Sequence, residues 1–151
     1  MAPVQVHDPL SFQHPHPLYS SYTSVPVSST STLVTISGQV AVDPDTGETP
    51  TTLSAQIDLC LSRISACLEH AGARKIDITR FMYYITQRGI EEVDAANGKG
   101  AALKLVGGKV GQWLDGHRPA SCFLRVFGMS DDKFLCEFEC MAVVLTPGLE
   151  K

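Results

Sequence analysis

Hydrophobic and polar positions along the chain follow two rhythms. Leu33, Thr35, Ser37 and Gln39 alternate with Val34, Ile36, Gly38 and Val40, which predicts a half-buried strand with one apolar face. Gly38 inside it signals a bulge or the close approach of a ligand or another backbone. Asp43-Pro44-Asp45-Thr46-Gly47 then reads as a tight turn. Over residues 54–71 the period lengthens. Ile57, Leu61, Ile64 and Leu68 form an apolar stripe, with Asp58, Arg63 and Glu69 off it, as an amphipathic helix requires. Thr51, Thr52 or Ser54 can cap its start, and Gly72 ends it. Phe81-Met82-Tyr83-Tyr84-Ile85 is a short aromatic strand.

A second helix is predicted from Glu91 to Trp113, burying Leu103, Val106, Val110, Trp113 and Leu114. Gly98, Gly100, Gly107, Gly108 and Gly111 interrupt it, each at about 1 kcal/mol relative to alanine. That helix must either pack closely on a neighbour or break near Gly107-Gly108. Two strands follow. Cys122, Leu124 and Val126 line one face of the first, against Phe123, Arg125 and Phe127. The last runs from Phe134 to Leu145 with a wholly apolar even face, while Glu137 and Glu139 stand on the odd face. Met129-Ser130-Asp131-Asp132 is read as the hairpin turn between them. The order β-α-β-α-β-β predicts an α+β sandwich with two helices on one sheet face.

Residues 1–32 differ in composition. Five prolines, three histidines (His7, His14 and His16) and the run Ser28-Ser29-Thr30-Ser31-Thr32 suit an extended arm. A short edge strand is expected near Val25 to Val27, and the folded domain should span residues 33–146. The 151 residues fit one domain, and the formal net charge of −4 argues against nucleic acid as the main partner. No apolar run approaches the roughly 18 residues of a bilayer span, and the N-terminus lacks the pattern of a signal peptide. Free thiols in a reducing cytoplasm are the simplest reading of Cys60, Cys67, Cys122, Cys136 and Cys140. They offer no Cys-x2-Cys pair, so no metal site is assigned.

With helices on one face only, the other face, with its Phe and Met residues, needs a cover. A second copy of the chain is the economical one. Glu137 and Glu139 are the strongest acid/base candidates: two apart on a strand, they share a face at about 6.5–7 Å. Burial of that face would raise a carboxyl pKa toward neutrality. The plainer alternative is a solvated strand face, or an ion pair with Arg125 across the hairpin. Ser37-Gly38 is no nucleophile elbow, because Thr35 stands where the first glycine should be.

Several segments together carry a likeness. Ile36-Ser37-Gly38-Gln39-Val40, Asp43-Pro44-Asp45-Thr46-Gly47, Gln56, Ala71-Gly72-Ala73, Pro119-Ala120 and Glu137-Phe138-Glu139-Cys140-Met141-Ala142 occur in the order found in one family. Over residues 17–145 the chain resembles the reactive-intermediate deaminases, also called YjgF, Rid or endoribonuclease L-PSP proteins. The resemblance implies a chorismate-mutase-like subunit and a homotrimer with small-molecule pockets between subunits. It implies hydrolysis of amino-acid-derived imines and enamines with no cofactor. It places the water-orienting glutamate at Glu139 and pocket residues at Tyr19, Ser37, Gly38, Asn97, Ser121 and Phe123. The family's substrate-binding arginine after the Pro-Ala step is absent, since Ser121 stands there, and Arg118 or Arg125 is the candidate substitute. The altered pocket points to a specialised hydrolase, isomerase or cyclase rather than a general 2-aminoacrylate deaminase. The alternative is a non-catalytic trimer that binds ligands or acts as a chaperone.

Overall fold

The computed structural model describes residues 3–12 and 17–145; His14 and His16 lie outside them. The strands are β1 (Gln5–His7), β2 (Tyr22–Ser28), β3 (Ser31–Val40), β4 (Ile78–Thr86), β5 (Ala120–Val126) and β6 (Cys136–Leu145). The helices are α1 (Leu53–His70), α2 (Gln87–Asn97) and α3 (Ala101–Leu114), with one 3-10 turn at Lys75–Asp77. The strands form one sheet in the order β1-β2-β3-β6-β4-β5. None of the helices is long and apolar enough to cross a membrane.

Helix α1 forms where the periodicity places it. Thr52 caps it by accepting from the Ala55 N–H at 3.3 Å, and Gly72 leaves it in the left-handed region (φ 70°). Ile57, Leu61, Ile64 and Leu68 are all buried, as the stripe requires. The residues read as an arm contribute β1 and β2. Tyr22 and Phe12 enter the core, and the Arg63 guanidinium lies 4.1 Å from the Phe12 ring centre.

The expected second helix is two helices, so three cover the sheet. The break falls at Gly98 and Gly100, whose φ of 94° and 86° no other residue adopts cheaply. Asp94 closes it, accepting from the N–H groups of Gly100 (3.0 Å) and Ala102 (2.8 Å). Those backbone bonds hold its carboxyl below the usual range. Gly107, Gly108 and Gly111 are instead exposed inside α3, where an added Cβ meets nothing within 4 Å. Of the two alternatives, neither close packing at these glycines nor a break near Gly107-Gly108 occurs; fourteen helical residues run through them and carry Ala102, Val106, Val110 and Leu114 into the core. Leu103, expected in the stripe, faces solvent. Replacing Gly107, Gly108 or Gly111 by alanine is expected to stabilise the fold by up to about 1 kcal/mol each. The same change at Gly98 or Gly100 is expected to destabilise it. Thermal melts of the five single variants give the signs directly.

The expected β5–β6 hairpin is also corrected. Strand β5 runs parallel to β4 at the sheet edge, and β6 inserts between β3 and β4, antiparallel to both. Composition explains the placement. The even residues of β6 are apolar enough for a central strand, whereas β5 carries Ser121 and Arg125 and tolerates an edge. Gln56, fully buried on α1, fixes the crossing segment. Its side chain donates to the carbonyls of Pro50 (2.7 Å) and Lys133 (2.8 Å) and accepts from the Leu135 N–H (2.7 Å).

Beneath the helices, Phe81, Tyr83 and Phe138 meet edge to face and tilted at 5.6–5.9 Å. Cys60 and Cys136 touch there at 3.7 Å between sulfurs. Burial pushes the thiols of Cys67 and Cys140 up to about 12, so both are protonated packing groups at neutral pH.

Candidate functional site

Register decides which side chains can meet. Cys140, Phe81 and Ser121 stand in one row across β6, β4 and β5, and Phe138, Tyr83 and Phe123 in another; both rows face the helices. The rows Glu137–Tyr84–Leu124, Glu139–Met82–Cys122 and Met141–Arg80–Ala120 face the opposite, open side. The two glutamates therefore sit near the middle of the sheet on the face without helices.

Strand β3 brings a fourth component to that face. Its register slips between Ile36 and Gln39, so Ser37 and Gly38 together oppose one residue of β6. The slip breaks the simple alternation. Gln39 turns into the core, where its Oε1 accepts from Arg63 (3.2 Å), and Gly38 turns to the open face. The Glu137 carboxylate rests on Gly38. A Cβ added there would overlap Oε1 and lie 2.7 Å from Cδ, so only glycine admits this carboxylate position. Ser37 secures the bulge, donating from N–H to the Ser21 carbonyl (3.0 Å) and from Oγ to the Ser20 carbonyl (2.7 Å).

The two carboxylates differ in surroundings. Burial, and then the neighbouring charge of Glu139, push the Glu137 carboxyl above its usual range. Glu139 accepts a hydrogen bond from the Tyr84 hydroxyl at 3.0 Å. The phenol itself is pushed up, by burial first and by that bond second. Such a pair can accept a proton from water or hold a cationic nitrogen.

The other expected site residues are dispersed. Ser121 and Phe123 point to the helix side. The Ser121 hydroxyl donates to the Pro119 carbonyl (3.0 Å), and Phe123 packs edge-on against Tyr83 at 5.5 Å. Arg125 pairs with Glu91 of α2 at 3.5 Å, which corrects the expected ion pair with Glu137 or Glu139. Parallel pairing with β4 puts Arg125 in the Ile85 row, on the helix side. Arg118 is exposed in the loop before β5, and Tyr19 is exposed before β2. Asn97 ends α2, where its amide donates to the Val93 carbonyl (3.0 Å). It lines a cavity of about 530 Å³ with Leu53, Val93, Ala101 and Leu105. That cavity is on the helix side, away from both glutamates. Sequence spacing signalled Glu137 and Gly38; Tyr84 was visible only as an aromatic strand residue.

A family model described as endoribonuclease L-PSP matches residues 14–144. The chain belongs to the endoribonuclease L-PSP (YjgF/Rid) family. The fold agrees with solved structures of other members. A Yersinia pestis protein of the Rid family, of unknown function, superposes with a TM-score of 0.75 at 22% identity, covering 94% of this chain and 100% of that one. A Mycobacterium tuberculosis member of the YjgF/YER057c/UK114 family gives 0.63 at 23%, covering 83% and 86%. Escherichia coli TdcF, solved with bound serine, gives 0.67 at 25%, covering 88% and 94%. No curated protein sequence matches the chain significantly.

Proposed function

We propose that this family member is a homotrimer that hydrolyses amino-acid-derived imines or enamines, or transforms a related reactive intermediate, at the open-face carboxylates. The observation that carries the reading is the Glu137 carboxylate, raised in pKa and seated on Gly38, beside Glu139. The serine held by the E. coli TdcF relative supports a ligand of amino-acid size. We place the water-activating role, expected at Glu139, on Glu137. Its carboxyl, pushed above the usual range by burial, suits a base working nearer neutral pH. Glu137 takes a proton from water as the oxygen adds to the imine carbon. With the imine protonated this gives a neutral carbinolamine, and Glu137 returns the proton to its nitrogen. Glu137 then takes the hydroxyl proton as the C–N bond breaks and the C=O bond forms. It passes that proton on to the departing ammonia, leaving a 2-oxo acid and ammonium. No cofactor takes part. The remaining pocket wall, including Tyr19, Asn97 and Ser121, comes from a neighbouring subunit in this reading.

For the substrate carboxylate we nominate Arg80. It lies on the open face, one row from Glu139, and among the described residues it makes no ion pair. Arg80→Gln is expected to raise KM about tenfold or more, the worth of one charged hydrogen bond. Arg118→Gln and Arg125→Gln should leave KM near the wild-type value.

Freshly generated 2-iminobutyrate, with keto-acid release as the readout, tests the activity. Glu137→Gln is expected to lower kcat at least about a hundredfold. No acceleration by the wild type would remove deaminase activity on this substrate and leave the specialised enzyme and the non-catalytic, ligand-binding trimer. Native mass spectrometry reads the trimer; a monomer at micromolar concentration would overturn it.

A further inference from the structure

We infer that Tyr84 is a positioning residue that divides the labour between the two glutamates: by holding Glu139 it leaves Glu137 as the member of the pair that carries the proton. The inference rests on the proposed use of the open face and extends it to a residue with no role assigned so far.

The geometry is asymmetric. Tyr84 is the register partner of Glu137, yet its hydroxyl passes Glu137 and donates diagonally to Oε1 of Glu139 at 3.0 Å. A donor on a carboxylate favours the ionised form. Glu137 receives no such donor among the described residues, and its carboxylate occupies the space that a side chain at Gly38 would fill. Desolvation and the Glu139 charge both favour the protonated state of Glu137. Two interacting carboxyl groups titrate as a pair, and a donor fixed on one of them biases the proton toward the other.

The remaining groups facing the pair do not reverse this asymmetry. From β3 come Gly38 and Val40; from β4, Tyr84, Met82 and the cation Arg80; from β5, Cys122 and Leu124. Arg80 stands one row beyond Glu139, farther from Glu137. Its charge therefore adds to the effect of the tyrosine.

Site-resolved titration tests the inference without requiring turnover. The protein is labelled with 13C at the glutamate carboxyls, and Glu137→Gln and Glu139→Gln assign the two signals. In the wild type the step at higher pH is expected on Glu137. In Tyr84→Phe the same step should spread over both carboxyls. The ratio of protonated Glu137 to protonated Glu139 should fall roughly tenfold, one charged hydrogen bond's worth. In Glu139→Gln the Glu137 step should move down toward the ordinary glutamate range. A higher step on Glu139 in the wild type would overturn the inference. So would curves unchanged by Tyr84→Phe, the result expected of a merely structural cross-strand bond. Should Tyr84→Phe fail to fold, the wild-type and Glu139→Gln titrations decide it. Failure of 2-iminobutyrate turnover leaves these titrations untouched, so the two claims fail separately.

Discussion

Gly38→Ala is expected to abolish most activity while leaving the fold standing. The new methyl group overlaps the Glu137 carboxylate, the far end of a flexible side chain, rather than backbone. Glu137 can therefore swing away at little cost to stability. A displacement of about 1 Å at a reacting group costs on the order of a hundredfold in rate. Keto-acid release should fall by at least that factor, with the thermal midpoint within a few degrees of wild type. A variant that keeps full activity would mean that Glu137 does not react from the position on Gly38. Collapse of the fold would mean that the bulge, and not the carboxylate, needs glycine.

The largest expected loss of stability comes from a residue outside the site. Gln56→Leu keeps the buried volume roughly constant but strands the carbonyls of Pro50 and Lys133 and the N–H of Leu135. A buried polar group left unpaired costs about 1–3 kcal/mol, so about 3 kcal/mol or more is expected in all. Urea unfolding should show a lower midpoint at unchanged slope. An effect below about 1 kcal/mol would mean that water replaces the amide. The variant also loosens the segment that delivers β6, so the glutamates should lose activity with it.

What sequence spacing could read was local. Helix α1, its cap at Thr52 and its stop at Gly72 follow from residues within a few turns of one another, and they stand where expected. The apolar even face of β6 and the shared face of Glu137 and Glu139 followed from a period of two. Pairing partners did not follow. Nothing in the alternation of β5 says that it runs parallel to β4. Alternation alone suggests an Arg125 ion pair across a hairpin turned at Met129-Ser130-Asp131-Asp132, and the parallel register removes both. A bulge is equally invisible to alternation. Slippage at Ser37-Gly38 is what turns Gln39 inward and Gly38 toward Glu137. In the second helical region the cost of a glycine per residue is the same at all five positions and carries no backbone geometry. Positive φ, not glycine density, marks the break. Tyr84 carries no functional signal in the sequence, because its diagonal contact with Glu139, 55 residues away in the chain, depends on the register between two strands.

The central position of β6 has a consequence for how the molecule is made. Synthesis delivers β1–β3 and β4–β5 as two half-sheets with nothing between them, and the strand that joins them emerges only after both. Until then Phe81, Ile36 and the underside of α1 lack their principal cover, and two sheet edges stand open to other chains. The same late segment carries Glu137 and Glu139. A chain that stops short of residue 136 therefore lacks both the keystone of its sheet and its proposed reactive groups. Partially synthesised or proteolytically clipped molecules should be cleared or aggregate, not persist as folded, inactive subunits able to poison an assembly.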